Sequence, residues 1–242
     1  MRLDHKMYRA VRRFVMPPAF EANHIEYSMI GSSEDEPMPP TERLLTLAIE
    51  AVTTTRQLRL EFRDRAGHPI STVNHWPGEH YRLLAGLVAV LKPKLVIEIG
   101  TGSGGSTLAM RQTLPKDGRI VTFDLIGWQE APEGVLRAED FEDGRLVQYR
   151  DDVSQAPGFA KHQEMLEQAD LFFIDAAKDG FMEQRLITRM RALLKMRTSP
   201  ILIFDDIRLW NMLRVWRDLP WPKLDLTSFG HWTGTGLAEW RK

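Results

Sequence analysis

The stretch LVIEIGTGSGGS, residues 95–106, decides how this chain folds. Its first five residues form a short and almost entirely apolar run, which is typical of a buried strand in a parallel sheet. Four glycines follow, and glycine permits the sharp turn that leads from a strand into a helix. The free N–H groups at the start of that helix favour an anionic group. The stretch therefore predicts a strand, a tight turn and a helix, with a ligand over the turn.

Apolar runs of the same kind recur along the chain, and stretches long enough for a helix separate them. The predicted strands are residues 95–99, 120–123, 146–149, 171–174 and 201–204. The predicted crossover helices are residues 106–114, 133–140, 161–167 and 182–194. This alternation indicates an α/β fold with a doubly wound, mostly parallel sheet. A closing antiparallel hairpin is expected from two β-like pieces, residues 224–229 and 237–240.

The composition narrows the function classes. Apolar residues make up 43% of the 242 residues and charged residues 27%, and the net charge is -1. This balance gives no electrostatic reason to expect nucleic acid or an anionic membrane as a partner. Because the chain has no cysteine, disulfides, thiolate nucleophiles and cysteine-bound metals are excluded. We expect a cytoplasmic protein with a small-molecule partner.

The residue pattern of the sequence changes near Pro69. Residues 1–69 are polar and irregular apart from one amphipathic helix, for which Thr41 is the predicted N-cap. The expected apolar face of this helix consists of Leu44, Leu45, Leu47, Ala48 and Ala51. We expect residues 1–69 to form an N-terminal helical segment that serves as a lid or a dimer contact. Residues 70–242 are expected to form the domain that carries the chemistry.

Acidic residues end two of the predicted strands. Asp175 follows the fourth strand, and Asp205 and Asp206 follow the fifth. Because ligands of open α/β sheets bind beyond the carboxyl ends of the strands, these carboxylates are expected to meet. Carboxylate oxygens suit Mg²⁺, and a bound cation lowers the pKa of a coordinated hydroxyl. Lys178 is the candidate base that takes up the proton, for which the pKa of its ammonium group has to fall.

The glycine turn is compatible with more than one cofactor. Gly100, Gly102 and Gly105 match the spacing of dinucleotide-binding turns, and Asp124 lies where a ribose-binding acid is expected. An NAD-dependent oxidoreductase and a non-catalytic cofactor-binding partner both stay open on these residues. Glu98 adds a further constraint, since an acid inside an apolar strand has to be paired or hydrogen-bonded.

An acid followed by Gly-x-Gly-x-Gly, at residues 98–104, resembles the first motif of the class I S-adenosylmethionine-dependent methyltransferases. The sequences FIDAAKD at residues 173–179 and IFDD at residues 203–206 are similar to their metal-dependent O-methyltransferase subgroup. That subgroup includes catechol, caffeoyl-coenzyme A and macrocin O-methyltransferases. The similarity covers roughly residues 76–206. It implies a Rossmann-like methyltransferase fold, S-adenosylmethionine at the glycine turn, and a divalent cation such as Mg²⁺ at the acidic strand ends.

The resemblance also implies roles for individual residues. Glu98 would brace the loop, Asp124 would hold the ribose hydroxyls, and Ser106 would contact the methionine carboxylate. The implied cofactor-binding residues are Glu98, Gly100, Thr101, Gly102, Gly104, Ser106, Asp124, Trp76 and Asp152, with Asp151 as the alternative to Asp152. The implied metal ligands are Asp175, Asp205 and Asp206, and the implied catalytic residues are Lys178 and Asp175.

Two departures from the subgroup leave the substrate open. Asp206 replaces the asparagine of the catechol branch and looks more like the macrocin branch, whose substrates are sugar hydroxyls. Residues 228–231 lack the carboxylate with which catechol enzymes bind a second hydroxyl. We therefore expect an enzyme, a homodimer, that methylates a hydroxyl of a phenolic or sugar-bearing small molecule.

Several of these residues have simpler explanations. Asp205 and Asp206 would also serve as the N-cap of a helix over residues 207–215. Isolated histidines are more often structural than functional, which applies to His75, His80 and His231, although His231 is a second candidate base. Trp210 and Trp216 are expected to pack in the interior rather than to cover a substrate.

Overall fold

A computed structural model describes residues 38–65, 79–192 and 199–241. Within them one sheet contains seven strands. The strands are β1 (Leu95–Ile99), β2 (Arg119–Phe123), β3 (Leu146–Tyr149), β4 (Leu171–Ile174), β5 (Ile201–Asp205), β6 (Lys223–Asp225) and β7 (Thr235–Glu239). All five strands predicted from apolar runs are confirmed, and β1, β3 and β4 have the predicted bounds.

The strand order determines where a ligand binds. Across the sheet the order is β3-β2-β1-β4-β5-β7-β6. Strands β1 to β5 run parallel, whereas β7 pairs antiparallel with both β5 and β6, which confirms the predicted closing hairpin. The chain winds outward in one direction from β1 and in the other from β4. The carboxyl ends of these two adjacent strands are the switch point at which open α/β sheets bind ligands.

The helices confirm most of the predicted crossovers. They are α1 (Glu42–Thr55), α2 (His80–Leu91), α3 (Gly105–Thr113), α4 (Ala156–Leu166), α5 (Phe181–Ala192) and α6 (Met212–Arg217), with 3₁₀ turns at Glu61–Asp64 and Ala138–Phe141. The helix predicted over residues 133–140 is wrong apart from that last turn. Glu133 has φ 55°, a left-handed conformation that a helix cannot include. In the described part of the chain, no helix is both long and apolar enough to cross a membrane.

Helix α1 begins where the sequence predicts. The Thr41 hydroxyl accepts a hydrogen bond from the Leu44 N–H at 3.1 Å. Four residues of the expected apolar face are buried, but Leu45 is 41% exposed, which corrects that part of the prediction. The buried face packs against α2 in the same core as the sheet. Thr41 and Arg43 also donate to Glu239 of β7, at 2.5 and 3.0 Å. The role of residues 1–69 as a lid or dimer contact stays a prediction.

Two apolar clusters lie on the two faces of the sheet, because successive strand residues point to opposite sides. In β4, Phe173 belongs to one cluster and Phe172 to the other. Trp216 packs in the second cluster as predicted. Trp210 is 75% exposed, so its predicted packing role is wrong. The reason is local, since Trp210 has φ 45° in the turn before α6 and its side chain points away from the core.

Candidate active site

The glycine turn packs directly against the loop that carries the first acidic residue. Gly100 has φ 97°, and a Cβ placed on it would lie 1.8 Å from the carbonyl oxygen of Asp175. Glycine is required here because any side chain would collide with that backbone. Gly104 is closed in by Leu136, whereas Gly102 faces open space. The turn is thus in contact with the end of β4 and leaves an open face over Gly102.

Glu98 is fully buried in β1 and is bonded to the first turn of α3. Its carboxylate accepts hydrogen bonds from the Ser106 hydroxyl at 2.6 Å and from the Thr107 hydroxyl. Burial raises the pKa of Glu98 to about 7, although the hydroxyl hydrogen bonds work in the other direction. The Ser106 hydroxyl, predicted to contact the methionine carboxylate, thus donates to Glu98 in the structure.

Asp124 follows β2 and reaches back to the glycine turn. One of its carboxylate oxygens accepts the Gly102 N–H at 3.0 Å. Asp152 follows β3, and its carboxylate accepts the Ser154 N–H at 2.8 Å. The neighbouring Asp151 forms ion pairs with α4 instead. Of the two acids after β3, Asp152 is therefore the one whose carboxylate is not held by a helix.

The side chain of Thr101 forms hydrogen bonds within the protein. Its hydroxyl lies 2.7 Å from that of Thr122 and accepts a hydrogen bond from Gln148 at 2.9 Å. Because this hydroxyl is buried, Thr101 offers a ligand only its backbone. Trp76 lies outside the described residues.

Two residues that the sequence analysis missed support the glycine turn and the acidic loop. Tyr81 of α2 lies beside Gly105, where a Cβ would come within 2.9 Å of the Tyr81 hydroxyl. Glu183 is fully buried and accepts the N–H groups of Lys178 and Gly180, each at 2.9 Å. Glu183 fixes the loop after β4, in which Lys178 has φ 60°. Tyr81 carries no sequence signal because its contact with Gly105 is tertiary, whereas Glu183 bonds to residues only three and five positions before it, a local signal at the start of α5 that was overlooked.

The acidic residues of β4 and β5 meet at the carboxyl edge of the sheet. Among the described residues, Asp175, Asp205 and Asp206 each place a carboxylate oxygen within 4.8 Å of the others. We call these three the carboxylate cluster. Asp206 has φ 56°, which turns the chain away from β5. Helix α6 begins only at Met212 with Asn211 as its N-cap, so the helix-capping explanation for the two aspartates is wrong.

The ammonium group of Lys178 lies inside the carboxylate cluster. Its Nζ is 2.7 Å from Asp175 Oδ1, 3.0 Å from Asp206 Oδ2 and 3.5 Å from Asp205 Oδ2. Burial would lower the pKa of Lys178, but the three carboxylate charges outweigh it and raise that pKa. The shift is opposite to the decrease expected of a base. Lys178 is therefore a charged partner of the carboxylates in this structure.

Three carboxylates and one ammonium group meet at the cluster, and two histidines approach Asp205 from its other side. Asp175 is 32% exposed and the most accessible of the three. Burial in the cleft and the nearby charge of Asp205 raise the pKa of Asp175 to about 6, against the pull of Lys178. The shift therefore reflects mainly the removal of Asp175 from water, and only secondly the repulsion between neighbouring carboxylates.

Two histidines approach Asp205 from other parts of the chain. His231 Nε2 lies 2.6 Å and His80 Nδ1 3.7 Å from Asp205 Oδ1. Burial of Asp205 works the other way, but the charge of His80 and the hydrogen bond from His231 hold the pKa of Asp205 below its usual range. The sequence analysis favoured structural roles for these histidines, because nothing in the spacing of residues 80, 205 and 231 indicates that they converge. His75 lies outside the described residues.

Three comparisons with known proteins show what this chain is similar to. The sequence model of the O-methyltransferase family matches residues 39–222. A search of the curated proteins found no match. An O-methyltransferase from Bacillus cereus in complex with SAH is 19% identical, with 81% of this chain and 91% of that chain covered and a TM-score of 0.48. SAH-bound PaMTH1, a methyltransferase from Podospora anserina, is 16% identical over 100% and 98% of the two chains, with a TM-score of 0.47. TomG, an O-methyltransferase of tomaymycin synthesis from Streptomyces achromogenes in complex with SAM, is 18% identical over 87% and 93%, with a TM-score of 0.47.

The doubly wound sheet carries a glycine turn after β1 and an acidic cluster after β4 and β5, which is the arrangement of an α/β protein that binds its ligand at the carboxyl edge of the sheet. Because the family model spans most of the sequence, the chain belongs to the O-methyltransferase family. The predicted fold and enzyme class are thereby confirmed. The alternative of an NAD-dependent oxidoreductase is wrong.

Proposed function

We propose that this enzyme transfers the methyl group of S-adenosylmethionine to a hydroxyl of a phenolic or sugar-bearing small molecule, with a divalent cation at the carboxylate cluster. The observation that carries the proposal is the contact between Gly100 and Asp175, where no Cβ fits. This contact puts the donor-binding turn and the carboxylate cluster on one wall of the same crevice. Methyl transfer needs that proximity, because sulfur, methyl carbon and acceptor oxygen must lie in line.

The glycine turn has the features that S-adenosylmethionine requires. Gly102 is open to an approaching ligand, and Gly100 and Gly104 have left-handed φ angles that shape the turn beneath it. Asp124 already lies at the turn, and a second lone pair of its carboxylate is suited to a ribose hydroxyl. Glu98 and Ser106 stabilise the turn from below. Thr101 contributes its backbone, and Asp152 and Trp76 are the remaining proposed contacts.

The donor set of the carboxylate cluster fits a hard divalent cation. Oxygen ligands from Asp175, Asp205 and Asp206 are of the kind that Mg²⁺ selects, and Mg²⁺ keeps positions for water and substrate. Asp175 is the most exposed of the three carboxylates and is therefore accessible to an added cation. When bound, a divalent cation lowers the pKa of a coordinated hydroxyl and orients it.

The residues of this chain then have definable tasks. The Lys178 ammonium group lies among the carboxylate oxygens that the cation would take, so it would be displaced toward the acceptor oxygen when a cation is bound. Because the pKa of Lys178 is raised, its ammonium group keeps its proton beside the carboxylates. Lys178 can act as a base only after another positive charge neutralises the carboxylates and the ammonium group loses its own proton. His231 is the second candidate for taking the hydroxyl proton, and the choice between the two bases stays a prediction. In the reaction the acceptor O–H loses its proton, the carbon–sulfur bond breaks, a carbon–oxygen bond forms, and S-adenosylhomocysteine leaves.

The proposal is tested by comparing Asp175→Asn with Asp179→Asn. Both replace an acid by its amide in the same loop, but Asp179 is exposed and caps α5 through bonds to Phe181 N and Met182 N. Asp175→Asn should reduce methyl transfer at least ~100-fold, as expected for loss of a group that acts on the reacting atoms. Its affinity for S-adenosylhomocysteine, measured by calorimetry, should change little, and Asp179→Asn should keep both.

Two results would count against the proposal. Equal loss of turnover and cofactor binding in Asp175→Asn would mean that the residue supports the fold rather than the reaction. Tight S-adenosylhomocysteine binding by the wild type, without methyl transfer to any phenol or glycoside in a broad panel, would support the non-catalytic cofactor-binding protein instead.

The homodimer and the cytoplasmic location also stay predictions. Light scattering measures the first, and cell fractionation measures the second.

A further inference from the structure

Two histidines meet a single carboxylate next to the proposed reaction site. His80 begins α2, Asp205 ends β5, and His231 lies in the connection before β7. The side chains of all three are buried. Polar groups in the interior have to be compensated by partners, so this convergence of three distant elements is a built arrangement.

The ligand atoms are close enough to share one ion. Among the described residues, His80, Asp205 and His231 each offer one such atom within 4.8 Å of the others. The two imidazole rings are nearly perpendicular, with an angle of 83° and centroids 4.4 Å apart. Asp205 directs Oδ1 to the histidines and Oδ2 to Lys178, 3.5 Å away. The histidines therefore use a different oxygen of Asp205 from the one that faces Lys178.

Thr233 supplies an outer partner for His231. Its hydroxyl oxygen lies 2.5 Å from His231 Nδ1. A histidine that binds a metal commonly donates its other ring N–H to such a partner, which fixes the ring and its tautomer. With the proton on Nδ1 donated to Thr233 Oγ1, the Nε2 lone pair is available to a metal ion. A proton held on Nε2 moves to Nδ1 or is released on binding.

We propose that His80 Nδ1, His231 Nε2 and Asp205 Oδ1 bind a divalent transition-metal ion such as Co²⁺ or Zn²⁺. We call this the histidine site. Imidazole nitrogens suit these borderline ions, whereas a purely carboxylate set suits Mg²⁺. The two sites share Asp205, so an ion at the histidine site competes with or adjusts a cation at the carboxylate cluster. Metal binding at the histidine site does not depend on the proposed function. Only a role of that metal in methyl transfer rests on the proposed function.

The test uses Co²⁺ and the full-length enzyme freed of metal with a chelator. Co²⁺ bound by nitrogen ligands in a site of low coordination number absorbs visible light far more strongly than the hydrated ion does. We expect this absorption to saturate in the wild type. His80→Gln and His231→Gln should each weaken Co²⁺ binding at least ~10-fold, since loss even of outer partners of a metal site has effects of that size. Asp175→Asn, outside the histidine site, should retain the absorption.

His162→Gln is the matched control. His162 is also a buried histidine, with Nε2 2.8 Å from Asp151, but it lies in α4 away from Asp205. This variant should bind Co²⁺ as the wild type does. If His80→Gln or His231→Gln fails to fold, proton NMR of the Co²⁺-loaded wild type gives the answer without a variant. Strongly shifted imidazole signals from two histidines are expected.

Three outcomes separate the two proposals. Wild-type Co²⁺ binding without visible absorption and without shifted histidine signals would overturn the histidine site. So would variants of His80 and His231 that develop the same visible absorption as the wild type at the same Co²⁺ concentrations. An intact histidine site in an enzyme that never transfers a methyl group would support the site and contradict the proposed function instead.

Discussion

Replacing Glu98 with glutamine is expected to remove a pH-dependent loss of stability. The Glu98 carboxyl is fully buried in β1, and its pKa is raised from 4.5 to about 7. Between these values the native state binds the proton more readily than the unfolded chain does. The stabilisation is therefore complete below the unfolded pKa of 4.5 and is lost as the pH rises through about 7. A shift of this size corresponds to roughly 3 kcal/mol.

Urea unfolding at about pH 5 and about pH 8 measures the effect. The free energy of unfolding of the wild type should fall by ~2–3 kcal/mol more between these pH values than that of Glu98→Gln, because the other titrating groups are common to both proteins. Glu142→Gln removes an exposed carboxyl and is the control, with a difference from the wild type within about 0.5 kcal/mol at each pH. An identical pH dependence of stability in the wild type and Glu98→Gln would show that folding does not raise the pKa of Glu98.

Three further substitutions have expected outcomes. In urea unfolding, Gly100→Ala should lower the free energy of unfolding by ~2 kcal/mol or more beyond the effect of Gly144→Ala, because the added Cβ collides with backbone. Gly144 is the control, since it has a similar left-handed φ but nothing within 4 Å of an added Cβ. Equal losses in the two variants would disprove the contact with the loop after β4. In the same assay Thr41→Ala should cost about 1–2 kcal/mol through the lost N-cap, and no loss would mean that α1 is held by packing alone. In calorimetry Asp124→Asn should weaken S-adenosylhomocysteine binding by roughly 10-fold or more through a lost charged acceptor, and an unchanged Kd would show that Asp124 only supports the turn.

The sheet could be predicted because its central parallel strands β1, β4 and β5 are buried on both faces. Such strands read as continuous apolar runs, and their bounds in the structure match the runs closely. The crossover between β2 and β3 could not be predicted in the same way. Residues 133–140 have the length of a helix, but the left-handed backbone at Glu133 leaves only a 3₁₀ turn at its end. The left-handed backbone of Glu133 thus prevented the helix that the pattern of residues 133–140 predicts.

The carboxylate cluster could be predicted because strand ends in a parallel sheet share one edge. Asp175 and Asp205 end adjacent strands, and their side chains meet as expected. The direction of the pKa shift of Lys178 could not be predicted, since it depends on three distances that only the folded loop sets. His80 and His231 flank the same edge from a helix and a hairpin, and no spacing in the sequence indicates that approach.

The central claim is that a hydroxyl is methylated at the carboxylate cluster with the help of a divalent cation. The most direct measurement is methyl transfer from labelled S-adenosylmethionine to a panel of phenols and glycosides, first in chelator and then with Mg²⁺ or Mn²⁺ added. We expect no turnover in chelator and recovery with added cation, while S-adenosylhomocysteine binding stays the same throughout. Full turnover in the presence of chelator would contradict the central claim.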